Sequence, residues 1–100
     1  PKAVELTHNS VREVCAMMHA RIPLDERTRL VSYLPLSHIA AMGIDVYSAI
    51  YCGAQVHFAD AMALKGSLKT TLLQCRPTLF FGVPRVWEKM AAAMQCEAAW

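Results

Sequence analysis

Little in this chain would direct it to a membrane, a nucleic acid or a metal. No apolar run approaches the roughly 20 residues that span a bilayer. The longest candidate, 39–52, is interrupted by Gly43 and Asp45. The first residues show no basic stretch followed by an apolar one, so no secretory leader is read there. Ten Lys and Arg stand singly against eight Asp and Glu, a net charge of +2 with no basic stripe. Nothing therefore tracks a phosphate backbone, and nucleic acid is not an expected partner. The four cysteines, Cys15, Cys52, Cys75 and Cys96, lie far apart, with no Cys-x-x-Cys pair and no histidine at ligand spacing. No metal ligand is assigned. Each cysteine has apolar neighbours and reads as a small buried hydrophobe in a reducing compartment.

What the chain does have is apolar side chains, 55% of 100 residues. That length allows one domain, at the small end for an α/β core. The surplus of apolar residues suggests surfaces meant to be covered by parts outside this chain.

The pattern alternates helices and strands. Ser10 and Glu13 have capping-box spacing, and Val11, Val14, Cys15, Met18 and Ile22 then repeat at helical intervals until Pro23. Leu30 to Leu36 reads as a short strand covered on both faces, ending near Pro35. A buried helix is expected over Ile39 to Cys52, stopped by Gly53, followed by a strand over Gln55 to Ala59. Leu64, Leu68, Leu72 and Cys75 make the next helical stripe, and Pro77 marks its exit. Thr78 to Val83 is rich in β-formers and predicts a third strand. Pro84 suits the first turn of a last helix, with Val86, Met90, Ala93 and Met94 on its apolar face. This order implies a parallel sheet covered by helices, with ligands at the carboxyl ends of its strands. Those ends are Pro35-Leu36-Ser37-His38, Ala59-Asp60 and Gly82-Val83-Pro84-Arg85.

Several residues there carry chemistry, each with a plainer alternative. Lys2, if it ends a phosphate loop, would bring a cation towards a triphosphate, but taken alone it is an ordinary surface lysine. His38, just past a strand end, points at the crevice where its nitrogens could reach an acyl or phosphoryl oxygen. It could equally cap the next helix with Ser37, and the two readings stand even. Gly82 allows close backbone approach, by a ligand or simply at a strand-to-helix turn. Trp87 reads as core packing. Asp45, inside an apolar helix, is a buried partner or a polar edge, and both remain open.

Three stretches, taken together, resemble a known family: Val31-Ser-Tyr-Leu-Pro-Leu-Ser-His-Ile-Ala-Ala41, Asp60-Ala-Met-Ala-Leu-Lys-Gly-Ser-Leu68 and Phe81-Gly-Val-Pro-Arg-Val-Trp-Glu-Lys89. In addition, Pro1-Lys2-Ala3-Val4-Glu5-Leu6-Thr7-His8 is similar to the end of a phosphate loop whose Gly/Ser/Thr-rich head lies upstream. The chain resembles the adenylate-forming superfamily, which includes acyl-CoA synthetases, luciferases and peptide-synthetase adenylation domains. The middle stretch is similar to the long-chain acyl-CoA synthetases of the bubblegum type.

That resemblance implies a three-layer parallel-sheet fragment of the large N-terminal domain, with residues 1–100 forming part of an adenylation domain. It implies ATP, Mg2+ and coenzyme A as cofactors and a long-chain fatty acid as substrate. Lys2 and Thr7 would bind the nucleotide, His38 would be catalytic, and Met42, Gly82, Val83 and Pro84 would bind substrate. Met42 stands near the mouth of the acyl tunnel in this reading, and an unbranched side chain there would be adaptable. Departures are Met42 and Gly43, where larger or polar residues are expected; Ala41 replaces an acidic residue of many long-chain relatives but is usual in the bubblegum type. The implied setting is cytoplasmic, compatible with peripheral attachment to the endoplasmic reticulum or another membrane. The adenine-binding strand, the magnesium-binding acid and the mobile C-terminal domain do not occur in this chain, so it is expected not to catalyse alone. Two alternatives remain at this point: a truncated, inactive interaction module, or part of another adenylating enzyme acting on an aryl or amino acid.

Overall fold

The computed structural model describes residues 2–98; Pro1 of the phosphate-loop stretch lies outside them. Helix α1 runs His8–Arg21 and begins earlier than the capping-box spacing predicts. Thr7 is its N-cap: its hydroxyl oxygen accepts from the Ser10 amide at 3.0 Å, and the Ser10 hydroxyl donates back to the Thr7 carbonyl at 2.9 Å. Ser10 thus lies inside the first turn, and Glu13 pairs with its exposed neighbour Arg12 instead of closing a box. The cause is that Thr7 satisfies the amide that a cap must reach. Cys15 is buried on this helix, whereas Val14, expected on the stripe, is 46% exposed.

Strand β1, Arg29–Ser32, pairs in parallel with β2, Gln55–Phe58, with Leu30 opposite Val56 and Val31 opposite His57. Leu30, Val31 and Ser32 are buried. The strand stops before the expected Leu36. Pro35 has no N–H to donate, and the chain turns there, the His38 amide donating to the Pro35 carbonyl at 2.9 Å.

The helical run that follows is not a uniform α-helix. It consists of α2, Ile39–Ala41, a π-helical stretch Met42–Ser48, and α3, Ala49–Cys52. Gly53 closes it in the left-handed region, φ 74°, as its position predicts. The π stretch brings Ser48 against α1, with its hydroxyl 3.4 Å from the Met18 sulfur and 3.8 Å from that of Cys15.

After β2 the expected single helix is divided. Ala63–Lys65 is a 3-10 turn, and α4 is Leu68–Cys75. Gly66 lies between them at φ 139°, a conformation no helix continues through. Helix α5, Pro84–Ala98, starts at the predicted proline. Val31, Ala63, Leu68 and Val86 form the core, with Tyr33, Leu72, Phe80, Val83 and Met90 packed on it. Met94, expected on the apolar face of α5, is instead exposed.

The predicted third strand is absent among the described residues, where the sheet has two strands. The segment 78–83 does begin beside β1. Both the Thr78 and Leu79 amides converge on the one Arg29 carbonyl, at 3.0 and 3.4 Å. The Arg29 amide goes to the Thr78 hydroxyl rather than to a carbonyl, at 2.9 Å. A ladder needs successive main-chain pairs, and these side-chain substitutions interrupt it at its first step. The coarser expectation, helices with a parallel sheet, stands. No helix among the described residues is long and apolar enough to cross a membrane.

Candidate active site

At the carboxyl end of β1, Tyr33 joins two parts of the chain. Its hydroxyl donates to the Phe81 carbonyl at 2.9 Å and accepts from the Val83 amide at 3.3 Å. The next carbonyl, that of Gly82, receives the Trp87 indole N–H at 2.8 Å. Tyr33 stacks on Phe80 and Phe80 meets Trp87 edge-on, each pair with ring centroids 5.5 Å apart. Gly82 has a steric reason to be glycine. A Cβ there would lie 2.6 Å from the Trp87 Nε1 and 2.8 Å from its Cε2. The close approach expected at Gly82 is therefore made by an indole of the same chain.

Asp45, on the π stretch, is half-buried. Burial pushes its carboxyl above the usual carboxylate range, and the Ser32 hydroxyl opposes that shift. Burial also raises Tyr33, with the Val83 amide opposing and the Asp45 charge adding to it. Asp45 thus sits half-buried beside the end of β1, between its two open readings.

His38 is exposed and caps α2, its Nδ1 accepting from the Ala40 amide at 3.2 Å. The helix-cap alternative is therefore realised. It also orients the ring: with Nδ1 accepting, the neutral imidazole carries its proton on Nε2, which becomes a donor. Met42, one turn on, is half-buried at the start of the π stretch, its amide donating to the His38 carbonyl at 2.9 Å. Lys2 lies exposed in the extended segment before α1. The Thr7 hydroxyl is engaged in its cap.

Two clefts accompany these groups. One, of about 320 Å³, opens at the carboxyl ends of β1 and β2 between Tyr33, Leu36, Phe58 and Asp60. One oxygen of the Asp60 carboxylate, Oδ1, accepts from the Met62 amide at 2.8 Å and the Ser67 hydroxyl at 2.6 Å. The other, of about 310 Å³, lies between Leu6, Thr7, Val11, Tyr47 and Ile50. Of the seven predicted site residues only Thr7 lines either cleft. The structure brings His38 and Met42 together and joins Gly82 and Val83 to Tyr33, but it does not gather all seven at one place.

Comparison with known proteins decides the family. The model of the family described as AMP-binding enzyme matches residues 1–99. This chain belongs to the AMP-binding enzyme family. It is 48% identical to the long-chain-fatty-acid–CoA ligase ACSBG2 of Xenopus laevis over 99% of the chain. It is 45% identical to human ACSBG2 over 90% of the chain, and 57% identical to the ligase ACSBG1 of Rattus norvegicus over 70%. The chain spans about 14% of the length of those ACSBG2 relatives and 10% of the ACSBG1 relative.

In this member of the family, sequence reasoning did not foresee the hydrogen bonds of Tyr33 and Trp87. Tyr33 heads the Tyr-Leu-Pro-Leu-Ser-His stretch, and its hydroxyl at the end of an otherwise apolar run was the available signal. Trp87, taken for core packing, is 50% exposed and acts through its N–H.

Proposed function

We propose that this chain is part of an ATP-dependent long-chain fatty acid–CoA ligase. The observation that carries the reading is identity of 45–48% across 90% or more of the chain to relatives named as such ligases. In that reaction the fatty-acid carboxylate attacks the α-phosphorus of ATP, forming an acyl-adenylate and releasing pyrophosphate. The coenzyme A thiol then attacks the acyl carbon, forming the thioester, losing its proton and expelling AMP.

The residues of this chain fit only part of that apparatus. Lys2 offers one cation, and the Thr7 hydroxyl is engaged in its cap. Among the described residues no group of three or more His, Cys, Asp or Glu could hold a metal ion. No part in holding Mg2+ is therefore assigned to them. His38 fits best: its Nε2–H is a donor suited to a carboxylate or phosphoryl oxygen, whose developing charge it would stabilise. Met42, beside it, would border the alkyl chain.

Two substitutions in the full-length enzyme test this. His38→Ala removes cap and donor together. It should slow fatty-acid-dependent pyrophosphate release by about 10²-fold and cost about 1 kcal/mol of stability. His38→Asn keeps a good capping acceptor and should restore the melting temperature while leaving the reaction slow. Normal pyrophosphate release in both variants would reduce His38 to a helix cap. Release driven by an aryl or amino acid, and not by a fatty acid, would move the chain to another branch of the family.

A further inference from the structure

The segment 78–83 reaches the carboxyl end of β1 without becoming a strand, so no ladder holds it there. Past the Thr78 and Leu79 amides, which donate to the Arg29 carbonyl, its main chain is held by side chains. Across Phe81, Gly82 and Val83, three polar main-chain groups are taken by two side chains: the Phe81 carbonyl and Val83 amide by the Tyr33 hydroxyl, and the Gly82 carbonyl by the Trp87 indole. Those side chains come from separate elements, 48 residues or more from the segment in one case and five in the other. Phe80 lies between the two rings and keeps both in place. The segment from Pro77 to Pro84 carries no charged residue, so the surface it makes suits an alkyl chain better than a phosphate or an adenine.

We propose that Tyr33 and Trp87 are positioning residues that clamp the Phe81–Gly82–Val83 main chain at the end of β1, where it serves as a wall for the acyl chain. This rests on the ligase reading above. Neither side chain takes part in the chemistry. Each acts through the peptide it holds, and a wall shifted by an ångström changes acyl-chain fit more than nucleotide fit.

Tyr33→Phe deletes one oxygen and keeps the stack on Phe80. Trp87→Phe deletes the N–H and keeps an aromatic ring. In the full-length enzyme each variant should raise KM for palmitate, by roughly tenfold for Tyr33→Phe and less for Trp87→Phe. KM for ATP should stay within about twofold. Hydrogen exchange at the Val83 amide should quicken in Tyr33→Phe, because that N–H loses its acceptor. Unchanged palmitate KM overturns the proposal. So does a rise in both KM values with a fallen melting temperature, which is the mark of a purely structural residue. If the wild-type enzyme makes no palmitoyl-CoA, the ligase reading fails, and with it the acyl wall. The exchange measurement then decides the clamp by itself: faster exchange sustains it and unchanged exchange overturns it.

Discussion

Around β1 and α5, apolar side chains from four parts of the chain close on one another. Val31, Ala63, Leu68 and Val86 are all buried, with Phe80 and Tyr33 over them. Between α1 and the helical run 39–52 the contact is thinner. Cys15 and Ser48 meet there, while Val14, Met17, Tyr47, Ile50 and Tyr51 remain exposed. The difference lies in the number of layers. A strand has two faces and can bury a residue on each, whereas a pair of helices buries only the stripe where they touch. The first region also orders its irregular backbone with long-range side-chain bonds. In the second, the long-range contacts of the Ser48 hydroxyl go to the Met18 and Cys15 sulfurs and not to main chain, and the Thr7 cap is one that any isolated helix could make.

The largest test of this contrast is truncation on either side of it. Leu30, 3% exposed, should lose about 2–5 kcal/mol as Leu30→Ala. Ile50, 75% exposed, should lose less than about 0.5 kcal/mol as Ile50→Ala in the same chain. Equal losses in chemical denaturation would erase the distinction.

Next in size is Gly82→Ala. The added methyl must displace the Trp87 ring, whose nearest atom would lie 2.6 Å away. A cost of about 1–3 kcal/mol is expected, with the indole fluorescence of Trp87 shifted. An unshifted spectrum and unchanged melting would show that the ring moves aside freely.

On the thinner side, Thr7→Ala should cost about 1 kcal/mol through the lost cap. Thr7→Ser should recover most of it, and equal losses in the two variants would point away from the hydroxyl.

The smallest effect concerns Asp45. Burial raises its folded-state pKa, so the native protein holds this proton to higher pH than the unfolded chain does. The resulting stability is fully present below the ordinary carboxylate range and is lost as pH rises through the raised value. Asp45→Asn should therefore melt higher than wild type at neutral pH, with the gap closing in acid. A gap that widens in acid would mean the carboxylate, not the acid, is the favoured form.

Much of the fold could be read from local chemistry. Pro23 ends α1, Gly53 closes the run 39–52, Pro84 opens α5, and Leu30 and Val31 are buried as an apolar run predicts. The site was legible in part. The capping role of His38 was foreseen as one of two readings, although β1 ends at Ser32 and not just before it. The start of α1 was misjudged because Thr7 and Ser10 are both good caps, and spacing favours the Ser10–Glu13 pair. Segment 78–83 was misjudged because its β-forming side chains describe a preference, and a strand also needs a partner.

The amino-acid sequence by itself determined the family, the alternation of helices and strands, and most helix ends, because these depend on residues within a few positions of one another. Tertiary structure alone decided that 78–83 would be pinned and not paired, that Gly82 must leave room for Trp87, and that Asp45 would face the end of β1. Each of these rests on groups brought together from distant parts of the chain or across a turn. The Tyr33 hydroxyl reaches carbonyl and amide 48 and 50 residues away. No periodicity or spacing reports such a bond, since its free energy depends on how the intervening chain packs.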